Sequence, residues 1–118
     1  MQKFRLMSLI SLIFVLTFTS CDDDNIKNPA TVTVSHAKTL KDDAQVRIVG
    51  TIESSLGVEL YLFSDNTGSI TIEVDNEIWA VNLINPTTLT FPLSVEIIGE
   101  VDREDAGIKI DVKKITII

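Results

Sequence analysis

In four of five segments between Gln45 and Ile118 apolar side chains return mostly at every second position, and the residues that carry the alternation are mostly Val, Ile and Thr. A side-chain period of two sends one row of a strand inward and the other outward, whereas a helix needs apolar residues three and four apart. The chain is therefore expected to be all-β, built of half-buried strands. Gln45–Ser54 reads as the first strand, with Val46, Ile48 and Ile52 on one face and Arg47, Thr51 and Glu53 on the other. Gly50 falls on the inward row, where a missing side chain lets a strand bend. Glu59–Ser64 is apolar on both faces and leads into Asp65-Asn66-Thr67-Gly68, whose Asp and Gly suit a tight hairpin. Ser69–Asp75 turns Ile70, Ile72 and Val74 inward. Ser94–Asp102 repeats the first strand: Val95, Ile97 and Val101 point in, Gly99 interrupts, and Glu96 and Glu100 point out. Ile108–Ile118 sets Ile108, Ile110 and Val112 against Lys109, Asp111 and Lys113.

The remaining segments read as connections. Val34–Leu40 is expected to form a short helix followed by the turn Lys41-Asp42-Asp43, and Asn76–Asn85 lacks alternation and is expected to make a helical turn around Trp79. Pro86 and Pro92 then punctuate the approach to the fourth strand. Five strands with two glycine bends, a short N-terminal helix and a helical turn between strands 3 and 4 fit a five-stranded OB-fold barrel over residues 32–118. That length suits one domain with a modest core.

The N-terminus carries an address. Lys3 and Arg5 precede an apolar run from Leu6 to Phe18 and the small pair Thr19-Ser20, the layout of a secretory signal over residues 1–20. The run is shorter than the roughly 20 residues a helix needs to cross a bilayer. Phe18-Thr19-Ser20-Cys21 resembles the lipobox of bacterial lipoproteins, which implies lipidation of Cys21 and a mature chain starting there. The alternative is an ordinary signal-proximal thiol. Residues 21–31, with Asp22-Asp23-Asp24 and a single large apolar side chain, are too polar to bury and are expected to be a disordered tether.

Beyond residue 20 the chain keeps 8 basic against 17 acidic residues, a net charge of −9. Nucleic-acid affinity comes largely from Lys and Arg neutralising phosphates, so a nucleic-acid partner is not expected. His36 is the only histidine, which rules out a histidine-based metal cluster and a conventional serine or cysteine triad, and it is expected to be a solvated helix residue. Carboxylates are plentiful, but Glu53, Glu73, Glu96 and Glu100 sit at outward strand positions, where solvated charge is the ordinary state and a glycosidase-like pair the exception. Asp102-Arg103-Glu104-Asp105 lacks the alternating loop that makes a calcium motif and reads as a solvated turn. No catalytic residue, metal or cofactor is expected.

Trp79 has two readings: a plug over the open end of the barrel, or a platform on which a ligand stacks. Tyr61 and Phe63 fall on the inward row of the second strand. The outer face of strands 2 and 3 then carries Leu60, Leu62, Thr71 and Glu73, without the aromatic and basic side chains of oligonucleotide-binding OB domains.

Several stretches together resemble one family: Leu40-Lys41-Asp42-Asp43, the long block Tyr61–Trp79 with Phe63-Ser64-Asp65-Asn66-Thr67-Gly68 at its head, Gly99-Glu100-Val101-Asp102, and Ile110-Asp111-Val112. In order and spacing they are similar to the bacterial OB-fold (BOF) family of YgiW/YdeI-type envelope stress-tolerance proteins, over nearly all of Val32–Ile118. The resemblance implies a periplasmic, non-enzymatic barrel that binds small or cell-wall-derived ligands. The chain differs from that family in its lipobox and in a longer connection over Asn85–Leu93. The resulting expectation is a lipid-anchored protein of the bacterial cell envelope, on the periplasmic side or the cell surface, touching the membrane through its anchor only. It would take a small or cationic ligand at Glu53, Glu73, Trp79, Glu96 and Glu100. The alternative is a scaffold that contacts another envelope protein through Val49, Leu60, Leu62 and Ile98. The pattern leaves the oligomeric state open.

Overall fold

Alternation alone decides which residues meet in the centre. In the computed structural model, which describes residues 29–104 and 107–118, the strands are β1 (Gln45–Gly57), β2 (Leu60–Asp65), β3 (Gly68–Glu73), β4 (Leu93–Glu104) and β5 (Gly107–Ile117). They close into a barrel in the order β1-β2-β3-β5-β4, with β1 also paired to β4. All neighbours are antiparallel except β3 and β5. This is the five-stranded OB topology. The expected signal peptide, Cys21 and residues 22–28 lie outside the described residues.

Val46, Ile48, Ile52, Phe63, Ile72, Val74, Val95, Ile97, Val101 and Ile110 are fully buried, and Tyr61, Ile70 and Val112 nearly so. Burying one such side chain stabilises a fold by about 1.5–3 kcal/mol, so this row is the main source of stability. The last strand departs from simple alternation. Ile98 pairs with Lys114 and Gly99 with Val112, which leaves Lys113 as a bulge; the phase shifts by one and Ile115 becomes the next buried residue. Gly99 is needed here for closeness rather than for bending. A Cβ at that position would collide with the carbonyl oxygen of Asp111, and one at Gly50 would strike the carbonyl of Ser64 and the ring of Phe63.

The expected boundaries shift in several places. α1 is only Val34–Ala37, because Lys38 and Thr39 leave it as a turn. β1 runs on to Gly57, and β3 ends at Glu73, where Asp75 becomes the N-cap of α2 (Asn76–Val81). β4 extends to Glu104. Residues 29–31, assigned to the tether from sequence, lie against the barrel: Thr31 bridges to Arg47, and the Val32 N–H donates to the Arg47 carbonyl at 2.9 Å.

Asp65 explains the Asp-x-x-Gly turn. Its Oδ1 accepts from the Thr67 N–H (2.8 Å) and hydroxyl (2.6 Å), and its Oδ2 accepts from the Val34 N–H at the start of α1 (2.9 Å). Desolvation pushes this carboxyl up, but the hydrogen bonds from Thr67, Val34 and Gly68 outweigh it and hold the pKa below its ordinary value. The β2–β3 hairpin is thereby fastened to the N-terminal segment.

α2 closes one end of the barrel. Trp79 is fully buried and meets Tyr61 edge-on at 5.8 Å, and Phe91 from the following connection tilts against the same Tyr61 at 6.1 Å. The helix ends in a Schellman turn: the Leu83 N–H donates to Ala80 O and the Ile84 N–H to Trp79 O. Leu83 itself sits at φ 61°, a left-handed conformation usually left to glycine.

Candidate functional site

Because β3 runs parallel to β5, side chains distant in sequence share one outer face. Across it the register aligns Leu62, Thr71 and Lys109 in one row and Leu60, Glu73 and Asp111 in the next. A groove of about 230 Å³ lies on this face, floored by Leu60, Thr71, Ile108 and Lys109 and bounded by Glu104 and Gly107 at the β4–β5 turn.

One ammonium, Lys109, and one carboxylate, Glu104, line the groove, and further carboxylates stand beside Lys109. Lys109 Nζ is 2.9 Å from Glu73 Oε1, 3.9 Å from Asp102 Oδ2 and 4.0 Å from Glu104 Oε1. The hydrogen bond to Glu73 raises the Lys109 pKa above its usual value against partial desolvation, and the charges of Glu104 and Asp102 add to it. Next to this group, Glu59, Glu73 and Asp75 each bring an oxygen within 4.8 Å of the others. Desolvation and the surrounding carboxylates of Glu59, Glu73, Asp111 and Glu77 push the Asp75 carboxyl up.

Glu59 is placed there by the β1–β2 turn, at φ 62°, where its Oε2 accepts the Asn76 N–H at 2.9 Å and its carbonyl accepts the Val74 N–H. A non-glycine residue in the left-handed region stores strain. Each of the three carboxylates turns one oxygen into the cluster, whereas calcium ordinarily takes six to eight, so these three oxygens alone do not complete an ion site. An organic cation, which asks only for negative potential and an apolar floor, fits the arrangement better.

The structure gathers only part of the site read from sequence. Glu73 is central. Glu100 stands one strand away, on the other side of Asp111 in the same row. Glu53 lies at a bulge of β1, where its Oε2 accepts the Ser64 hydroxyl at 2.6 Å, and Glu96 pairs with Arg47 at 3.5 Å on the β1–β4 face. Neither reaches the groove. Trp79 has no exposed surface, which leaves no face for a stacked ligand and corrects its inclusion among the ligand residues; the plug reading holds. His36 is exposed on α1. Of the four residues read as a scaffold contact, Val49 is 47% exposed, and Leu60 belongs to the groove. Sequence reasoning missed Glu59, Asp75, Asp102, Glu104 and Lys109 as site residues. The parallel β3–β5 pairing that follows from the OB topology was the signal that places Lys109 beside Thr71 and Glu73.

Comparison with known proteins agrees with the fold. Residues 19–117 match the model of a family described as bacterial OB fold (BOF) protein. The chain is 39% identical over 88 residues to protein YgiW of Escherichia coli, a match covering 75% of this chain and 64% of YgiW. It is 34% identical over 118 residues to the calcium-regulated OB-fold protein CarO of Pseudomonas aeruginosa, covering all of this chain and 97% of CarO. The solved structure of YgiW superposes with a TM-score of 0.64 at 35% identity, over 75% of this chain and 90% of that one.

Proposed function

Since the chain belongs to the bacterial OB fold (BOF) family, we propose that it is a non-enzymatic binding protein of the bacterial cell envelope, anchored by lipid at Cys21, whose β2–β3–β5 groove takes a small cationic ligand. The observation that carries this reading is the charge of the groove: Glu73, Asp102 and Glu104 surround the single Lys109, and Glu59 and Asp75 adjoin them. OB folds as a class bind on the face of strands 2 and 3 between the β1–β2 and β4–β5 loops, where this groove lies; that support is an analogy of fold. Leu60 and Ile108 supply an apolar floor for the stem of such a ligand. An amine-bearing cell-wall fragment meets the same requirements, and a role in tolerance of envelope stress is part of the same proposal.

An amide chemical-shift titration of the chain from residue 22 at physiological salt tests this. Oligolysine, a muropeptide, calcium chloride and a single-stranded oligonucleotide are added in separate series. Saturable shifts at Leu60, Thr71, Glu73, Ile108 and Lys109 with oligolysine or the muropeptide, shrinking as salt rises, are expected, because attraction between exposed charges is screened over about 8 Å. Silence at these amides in both series, or saturation with the oligonucleotide alone, sinks the proposal.

A further inference from the structure

The end of α2 carries a second surface with different chemistry. Val81 is 81% and Leu83 95% exposed. They stand beside a hollow of about 80 Å³ lined by Ile78, Val81, Asn82, Lys113, Lys114 and Ile115. Asn82 fixes this edge to the barrel by donating from Nδ2 to the Ile115 carbonyl at 2.9 Å. Leu83 is unfavourable on two counts: a leucine occupies the left-handed position of a Schellman turn, where glycine is the usual residue, and its side chain is almost wholly in water.

Lys113 and Lys114 are adjacent cations in an otherwise strongly acidic chain. Lys113 bonds Asp111 at 3.1 Å, and Lys114 makes no ion pair among the described residues. Lys114 also shares a sheet row with the start of the described chain, through Ile98, Arg47 and Thr31. Three strand spacings separate Thr31 from Lys114, about 14 Å. From Cys21 to Pro29 an extended chain reaches about 28 Å at most. A lipid on Cys21 therefore lets this side of the barrel reach the bilayer.

We infer that Val81 and Leu83, with Lys113 and Lys114 behind them, dock the barrel onto the anionic headgroup surface of the membrane that holds Cys21. The inference rests on the anchor reading above and extends it, since the sequence implied membrane contact through the lipid alone. Protruding aliphatic side chains suit a fluid acyl boundary, and lysine stems lie along it with their ammonium groups at the phosphates. A weak contact is enough, because the tether raises the local concentration of the surface to the millimolar range.

The test couples the chain from Cys21 onward, through its only cysteine, to a maleimide lipid in nanodiscs of phosphatidylethanolamine and phosphatidylglycerol. A headgroup nitroxide lipid then reports nearby amides by paramagnetic broadening. Broadening is expected to concentrate on residues 81–84 and 113–118, to weaken in phosphatidylcholine discs, and to lose its focus in a Val81→Ser, Leu83→Ser double variant. Both side chains are exposed, so the variant's amide spectrum free in solution should be otherwise unchanged. Broadening spread evenly over the barrel, centred on Thr71–Glu73, or indifferent to the double variant would overturn the inference. Chemical coupling makes this result independent of whether the cell lipidates Cys21, which the mass of the mature protein decides separately.

Discussion

The groove on the β2–β3–β5 face and the ridge at the end of α2 are both exposed, but they hold their side chains in opposite ways. In and beside the groove Lys109 is held by Glu73, and Glu59 accepts from the Asn76 backbone. On the ridge Val81 and Leu83 project into solvent, and one of them does so from a strained backbone. The groove holds its charged groups in fixed pairs, whereas the ridge presents apolar side chains to solvent. α2 belongs to both, since Asp75 and Asn76 begin it on the acidic side and Val81 and Leu83 finish it on the other.

Trp79 is the point where the comparison can be broken at one stroke. It anchors α2 from the middle, so Trp79→Ala is expected to lose about 3–5 kcal/mol of stability and both surfaces with it. Trp79→Phe separates packing from polarity. The Trp79 Nε1 is buried with no acceptor among the described residues, so its removal strands no partner there and the loss should be well under half that of the alanine variant. Urea denaturation of both variants decides it: equal losses would mean that the indole N–H is satisfied after all.

The core was legible in the sequence because each strand's inward row is a local pattern. Val46, Ile48 and Ile52 announce their burial within eight residues of chain. Ile115 did not, because the bulge at Lys113 changes the phase, and that bulge lies where Gly99 closely approaches Asp111 on a different strand. The groove was hidden for the same reason on a larger scale. Lys109 meets Glu73 only through a parallel pairing between strands more than thirty residues apart, and Glu59 joins the cluster from a turn that carries no periodicity. Glu53 and Glu96 look equivalent to Glu73 in a strand pattern, yet the barrel turns them to other faces. Leu83 gave no sign at all: its exposure and left-handed backbone come from the way α2 stops.

Lys109 sharpens the groove side of the comparison. Lys109→Met keeps the apolar stem and removes the charge, leaving Glu73, Asp102 and Glu104 unneutralised. Stability should change by no more than about 1 kcal/mol, because these pairs are partly exposed and solvent-screened. Affinity for oligolysine should rise roughly three- to tenfold, the effect of one neighbouring charge near a surface. A fall in affinity would instead make Lys109 a contact for an anionic part of the ligand. Acid should act in the reverse direction. The folded pKa of Asp75 is raised, so this carboxylate takes up a proton before an ordinary aspartate as the pH falls, and cation binding should begin to weaken there. Isothermal titration of wild type and Lys109→Met at successive pH values reads both effects.

Leu83→Gly is expected to produce the smallest change, with an opposite sign in each measurement. Glycine enters the left-handed region without the steric penalty of roughly 1–2 kcal/mol that an L side chain meets, but it loses more backbone entropy on folding. The net gain should be about 0.5–1 kcal/mol, a rise in Tm of a few degrees for a domain of this size. In the nanodisc experiment the same variant should lose much of its focused broadening at residues 81–84. A merely structural leucine predicts no such opposition, since replacing it would either weaken the fold or leave both readings unchanged. A protein that becomes more stable and less membrane-bound through one exposed side chain would show that Leu83 is kept for a contact outside the fold.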